Sequence, residues 1–220
     1  NEWGGMSLSF LNHTPKEDKQ GSMNISIILA HPNPGSFNHA IAATVAETLR
    51  RNGHNPIVHD LCAEKFDPVL PAEELARDAV LPPMIRQHCD EIVSADGIIV
   101  IHPNWWGTPP AILKGWIDRV LRAGIAYKFV AGDNGEGVPV SLLKAKSAIV
   151  FNTANTPAER EASVFGDPLE LIWKKCVFAL CGIKKVHRRI FAVVITSTPK
   201  ERANWLAEVA STVDQFYPQG

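Results

Sequence analysis

Five short apolar runs, separated by segments of helical period, set the limits on what this chain can become. They are NISIILA (24–30), PIVHDL (56–61), GIIVIH (97–102), SAIVFNTA (147–154) and RRIFAVVIT (188–196). Short runs rich in Ile and Val read as strands buried on both faces. Between them lie SFNHAIAATVAETLRRNG, with Ile41, Val45 and Leu49 on one helical face and Asn52-Gly53 as its stop, and PAEELARD and MIRQHCDEIVSAD, broken at Pro82-Pro83. PAILKGWIDRVL, PLELIWKKCVFALCG (ended by Gly182) and PKERANWLAEVASTVDQF complete the set. Strands that alternate with helices imply α/β architecture: a three-layer, doubly wound, five-stranded parallel sheet. Such sheets bind ligands beyond the carboxyl ends of their strands, where strand order reverses. In the order 2-1-3-4-5 strands one and three flank that point. The loops to read therefore follow Ala30, His102 and Asn152.

The first loop, HPNPGSFNHA (31–40), leads from strand into helix. Free N–H groups at a helix N-terminus attract anions. Gly35 permits tight curvature, and Ser36 and Asn38 add side-chain donors. No Lys or Arg lies between His31 and Leu49, so a phosphate here would rest on dipoles and neutral donors, with His31 as a further candidate. Ser36 as a simple helix cap is the competing reading. The second loop holds Trp105 and Trp106, with Thr108 placed to cap the following helix. Successive side chains diverge, so the two rings are not expected to fill one hole; packing anchors and a flat ligand surface both remain open. Beside a phosphate-like loop, the pair fits a planar, hydrogen-bonding ring on a phosphate tail, and flavin mononucleotide is such a molecule. There is no G-x-x-x-x-G-K-[ST] and no G-x-G-x-x-G after the first strand. GDNGEG (132–137) lacks the spacing of a phosphate or calcium loop and reads as a surface turn.

The chain's 220 residues suit one domain, residues 23–220, behind an extension or tag remnant at 1–22. A net charge of −1 excludes the bulk basic surface of a nucleic-acid binder. No apolar run is long enough to span a membrane, and no signal-peptide pattern opens the sequence. Cys62, Cys89, Cys176 and Cys181 contain no Cys-x-x-Cys and read as small buried thiols, as expected of a cytoplasmic protein.

ILAHPNPGSFNHAI and HPNWWGTPPAILKGWIDRV resemble the two hallmark segments of the flavodoxin-fold NAD(P)H dehydrogenase (quinone) family, and AGIAYKF adds to the likeness. The resemblance runs from about Asn24 to Val213. It implies a flavodoxin-like strand order, bound FMN or FAD, NAD(P)H as donor, a quinone-like acceptor and a homodimer with sites at its interface. Carried over residue by residue, His31, Ser36, Phe37 and Asn38 would hold the flavin phosphate. Pro103, Asn104, Trp105, Trp106 and Gly107 would line the isoalloxazine ring, partly through backbone N–H groups. Asn152, Thr153, Ala154 and Asn155 would form a further edge, and Tyr127 and Phe129 the substrate side. The mammalian Tyr and His thought to relay charge correspond to Glu159 and Phe165, so no side chain inherits that role; Asn155, Arg160 and Glu161 either face the flavin edge or form a solvated loop. Without a separate dinucleotide motif, donor and acceptor would take turns on the flavin in ping-pong fashion. A flavoprotein subunit of a potassium-efflux transporter and a flavodoxin-type electron carrier are the alternatives. A carrier usually presents a strongly acidic surface, which this near-neutral chain lacks.

Overall fold

The computed structural model describes residues 21–130 and 137–220. The 1–22 extension, except Gly21 and Ser22, and the 132–137 turn, except Gly137, lie outside the described residues. The elements in chain order are β1 (Asn24–Leu29), α1 (Phe37–Arg51), β2 (Asn55–Asp60), α2 (Pro83–Ser94), β3 (Gly97–Pro103), α3 (Ala111–Val120), β4 (Tyr127–Val130), β5 (Val138–Ser141) and β6 (Ser147–Ala154). They continue with α4 (Ala158–Phe165), α5 (Pro168–Glu170), α6 (Phe178–Leu180), β7 (Lys185–Ala192) and α7 (Pro199–Phe216). A π-helical segment, Leu171–Val177, joins α5 to α6.

The main sheet is parallel throughout, in the order β2-β1-β3-β6-β7. Once the separate antiparallel β4–β5 pair is set aside, this is the expected 2-1-3-4-5. Side chains alternate across the central strands. Ile98, Val100, Ala148 and Val150 join one core with residues of α2, α3 and the Leu169–Phe178 stretch; Ile99, Ile101, Ile149 and Phe151 join another with α1 and α7. Burial on both faces is why these runs are apolar without alternation. Ile41, Val45 and Leu49 are all fully buried, as the helical period requires.

Several local expectations change. PAEELARD yields only a 3₁₀ turn, Ala72–Glu74. Leu75 and Val80 stay exposed, so the segment has no apolar face, and Glu74 is drawn instead into a buried ion pair with Arg119 (2.5 Å). Thr108 does not cap α3: its hydroxyl donates to the Trp105 carbonyl (2.9 Å), and Pro110 takes the cap position. The last strand begins three residues earlier and ends at Ala192. Of the four free thiols, Cys89 and Cys181 are buried, Cys62 is half-buried and Cys176 is exposed on the π-helical segment. The β4–β5 hairpin and α4 were not expected.

Candidate functional site

At the carboxyl end of the sheet, Ser36 caps α1, its Oγ accepting from the His39 N–H. The His39 ring bridges the Ser36 hydroxyl (2.9 Å) and the Asp60 carboxylate (2.9 Å), which ties the loop to β2. The capping reading therefore holds, and it leaves room for the other. The N–H groups of Phe37 and Asn38, the first two of the helix, have no acceptor in the described protein. They are the two donors a helix N-terminus leaves free for an anion. Nδ1 of His31 accepts from the Asn33 N–H (3.1 Å), so the proton sits on Nε2. Burial, reinforced by neighbouring His39, lowers the His31 pKa, making it a neutral donor rather than a cation. Asn38 is placed differently from the expectation: its side chain is buried against the Thr153 hydroxyl (2.9 Å), leaving its backbone to face the cleft.

The tryptophan loop is a two-residue turn. Trp105 and Thr108 exchange backbone hydrogen bonds (3.2 and 3.1 Å) across Trp106 and Gly107, both at positive φ (56° and 69°). Positive φ at both central positions is the type I′ arrangement. Gly107 is required there twice over, since a Cβ would also lie 2.7 Å from Pro168 Cγ. The turn consumes most of the donors expected to meet a ring. Asn104 N–H goes to the Thr153 carbonyl, and Gly107 N–H to Asn104 Oδ1, leaving Trp106 N–H without an acceptor. The rings diverge as expected. Trp105, 44% exposed, lies 6.2 Å from the His31 ring; Trp106 is fully exposed.

Two adjoining clefts result. One, about 350 Å³, is lined by His31, Ser36, Phe37, Asn38, Pro103, Asn104, Trp105 and the Thr153–Thr156 stretch. The other, about 390 Å³, is lined by Asn104, Trp106, Gly107, Glu161, Phe165 and Pro168, and shares Ala154, Asn155 and Thr156 with the first. Twelve of the fifteen residues singled out from the sequence thus meet around one crevice. Asn152 does not reach it: it is fully buried, its amide donating to His102 Nε2 (2.8 Å) and its oxygen accepting from Arg188 Nε (2.6 Å). Tyr127 and Phe129 lie on β4, edge to face at 5.5 Å, and Tyr127 lines a different cleft with Leu121, Cys176 and Cys181. Glu161 and Phe165 belong to α4, so the polar stretch is a helix wall of the crevice rather than a free loop.

Beneath the crevice runs a buried polar network. Trp173 Nε1 donates to His102 Nε2 (2.9 Å), so the ring proton is on Nδ1 and goes to the Pro103 carbonyl (2.8 Å). Arg188 continues the network to Asp167 (2.7 Å) and Glu170 (3.2 Å), at the start of α5. It thus fixes β3, β6 and the Asp167–Pro168 corner that meets Gly107.

With the geometry in place, comparison with known proteins defines the class. A family model described as flavodoxin-like fold matches residues 23–215. An NAD(P)H oxidoreductase of Haemophilus influenzae is 38% identical over 82% of this chain and 89% of its own. NAD(P)H dehydrogenase (quinone) 1 of Cavia porcellus is 36% identical over 82% of this chain and 72% of its own. The solved NAD(P)H:quinone oxidoreductase of Methanothermobacter marburgensis superposes with a TM-score of 0.74 at 25% identity, over 89% of this chain and 98% of that one. This chain belongs to the flavodoxin-like family of NAD(P)H oxidoreductases and is itself an oxidoreductase. No helix among the described residues is long and apolar enough to cross a membrane.

Proposed function

We propose that the protein is a flavin-dependent NAD(P)H oxidoreductase with a quinone-like acceptor. Bound FMN or FAD would supply the chemistry, taking two electrons from NAD(P)H and releasing them to the acceptor. The observation that carries the reading is the pair of adjoining clefts where strand order reverses: one presents free helix N–H groups, and the other is open and walled by Trp106 and Phe165. The residues fit the group. Phe37 and Asn38 N–H, the Ser36 hydroxyl and neutral His31 would hold its phosphate, while Pro103, Asn104, Trp105, Trp106 and Gly107, with Thr153, Ala154 and Asn155, would orient the ring. Asn152 would act from below, through His102 and the strand ends.

Donor and acceptor would occupy the same open cleft in turn, which is a ping-pong scheme. Tyr127 and Phe129 would serve the substrate side of a second copy's site. Phe129, Val130, Val138 and Val140 are large apolar side chains exposed on the β4–β5 pair, which favours a homodimer covering them; sedimentation velocity checks this. The decisive experiment is to release the cofactor from purified protein and identify it by mass. Initial rates with NAD(P)H and benzoquinone should then give parallel double-reciprocal lines. An apoprotein with no saturable FMN or FAD binding overturns the reading; intersecting lines overturn the shared cleft.

A further inference from the structure

We infer that Glu161 sets which electron acceptors the crevice admits, selecting neutral and cationic molecules over anionic ones. The inference rests on the oxidoreductase reading above and concerns the same crevice. Glu161 is only 6% exposed, yet its carboxylate has no hydrogen bond or ion pair within the described protein. Its neighbours on α4, Glu159 and Arg160, are exposed to solvent. Carboxylates this deeply set are ordinarily paired, because removing them from water without a partner is costly. The side chain lines the wall of the open cleft beside Trp106 and Phe165, and its oxygens are absent from the fully enclosed, unpartnered polar atoms. The cleft that Glu161 lines is where this carboxylate would meet a ligand.

The rest of the lining makes that charge decisive. No Lys or Arg lines either cleft, and the one histidine, His31, is held toward its neutral form by burial. An acceptor entering beside Trp106 thus meets one carboxylate and no cation from the protein lining, in addition to the more distant flavin phosphate. At separations of a few ångströms under partial screening, such a charge disfavours a bound anion by about tenfold or more. A neutral quinone meets no such penalty, and a cation or a hydroxyl donor meets a ready partner.

The test uses the flavin-loaded enzyme and two acceptors, 1,4-naphthoquinone and 1,4-naphthoquinone-2-sulfonate. Their intrinsic reactivities differ, so the readout is the change in the sulfonate-to-neutral ratio of kcat/KM. Glu161→Gln should raise that ratio about tenfold, mainly through KM of the sulfonate, and Glu161→Asp should keep the wild-type preference. The ratio should rise with added salt in the wild type, because screening weakens the repulsion, and rise less steeply in Glu161→Gln, where only the flavin phosphate remains to be screened. A ratio unchanged in Glu161→Gln, or insensitive to salt in the wild type, overturns the inference while the flavin activity stands. A protein that takes up no flavin and reduces neither quinone overturns the oxidoreductase reading and this inference with it.

Discussion

His102 beneath the crevice and His59 on the β2–α2 side are buried to nearly the same degree, 0% and 5% exposed, and are driven in opposite directions. His102 receives two donors, Trp173 and Asn152, and faces Arg188. Burial first, with the nearby guanidinium, pushes its pKa down to about 3. Burial would lower His59 too, but Glu64 (3.0 Å) and Glu91 (2.5 Å) accept from its two ring nitrogens and raise it instead. Burial lowers both rings; it prevails at His102, where no carboxylate accepts from the ring, and is outweighed at His59 by two carboxylates acting together. The difference also separates two jobs. The network around neutral His102 supports the crevice from beneath, with Arg188 paired to Asp167 and Glu170, and Glu161 is the charged side chain that lines the clefts. The ionic cluster fastens β2 to α2 away from the crevice. His59, Glu64 and His88 bring possible metal ligands within 4.8 Å, but Trp116 donates to Nδ1 of His88 (3.0 Å), so His88 carries its proton on Nε2 toward Glu64. A cation on that nitrogen would need the proton removed, and the cluster is better described as two carboxylates paired to His59, with the Nε2–H of His88 facing Glu64.

The largest expected effect breaks the comparison from the His102 side. Below pH 6.5, the ordinary value for a histidine, the unfolded chain takes up a proton that folded His102 refuses until about 3. Stability from this residue is therefore lost as pH falls, by roughly 4–5 kcal/mol across that span. His102→Gln keeps an acceptor and no titration, and should be less stable than wild type at pH 7 by about 1–2 kcal/mol. The two stability curves, followed by urea unfolding, should converge and cross toward acid. A difference that stays constant with pH would show that His102 is not held neutral.

The opposite sign is expected at His59, with a smaller effect. A raised pKa stabilises the fold fully below the unfolded value of 6.5, and the contribution disappears as pH rises through the folded pKa. His59→Gln should cost about 1–2 kcal/mol near pH 5.5 and progressively less in alkali. The loss is limited because Glu64 retains His88 and Glu91 retains Gln87 (2.9 Å). Further acidification removes Glu64, held down to about 2 against its own burial by His59 and His88, so the cluster also weakens below about pH 4.5. A His59→Gln gap that widens with rising pH would contradict the ion-pair description.

How far the sequence reveals these two regions depends on the range of the interactions. The five strands and their order rest on local patterns, Ile-rich runs and helix stops, and are legible. The crevice loops are legible because they must follow strands one, three and four. Asn152 was misplaced although period two carries the answer: it shares a face with Ala148 and Val150, toward the π-helical segment, while Thr153 shares one with Ile149 and Phe151, toward α1. The His102–Trp173 and Asn152–Arg188 bonds span 71 and 36 residues and leave no local trace. The sequence leaves Glu161 open between the flavin edge and a solvated loop, since α4 has no side-chain cap to announce it and only its packing turns that residue inward. The β4–β5 strands are four residues each, too short for periodicity to mark.

The smallest expected change in stability sharpens the comparison at the crevice itself. On the β2–α2 side the large rings are enclosed, Phe66 and Trp116 at 2% and 1% exposure, whereas Trp106 is fully exposed and held at φ 56°. A left-handed conformation at a bulky residue carries strain of about 1–3 kcal/mol, offset by the turn and the Asn104–Gly107 bond that hold it. Nothing packs on the exposed ring to repay that strain, so the proposed role of Trp106 beside the flavin is what the substitution tests. Trp106→Gly relieves it but adds freedom to the unfolded chain, so the apoprotein should be unchanged or stabilised by up to about 1 kcal/mol. Flavin affinity or single-turnover reduction by NAD(P)H should fall, because the ring that walls the cleft is gone while the backbone donors survive. Trp105→Ala, half-exposed beside His31, should weaken flavin binding with only a modest loss of apoprotein stability. Apoprotein melting, the flavin dissociation constant and the single-turnover rate, measured together, separate the outcomes. A loss of roughly 3–5 kcal/mol in the apoprotein with flavin affinity and reduction rate unchanged, the pattern of a buried aromatic, would assign the two tryptophans to packing and remove the contrast between the regions.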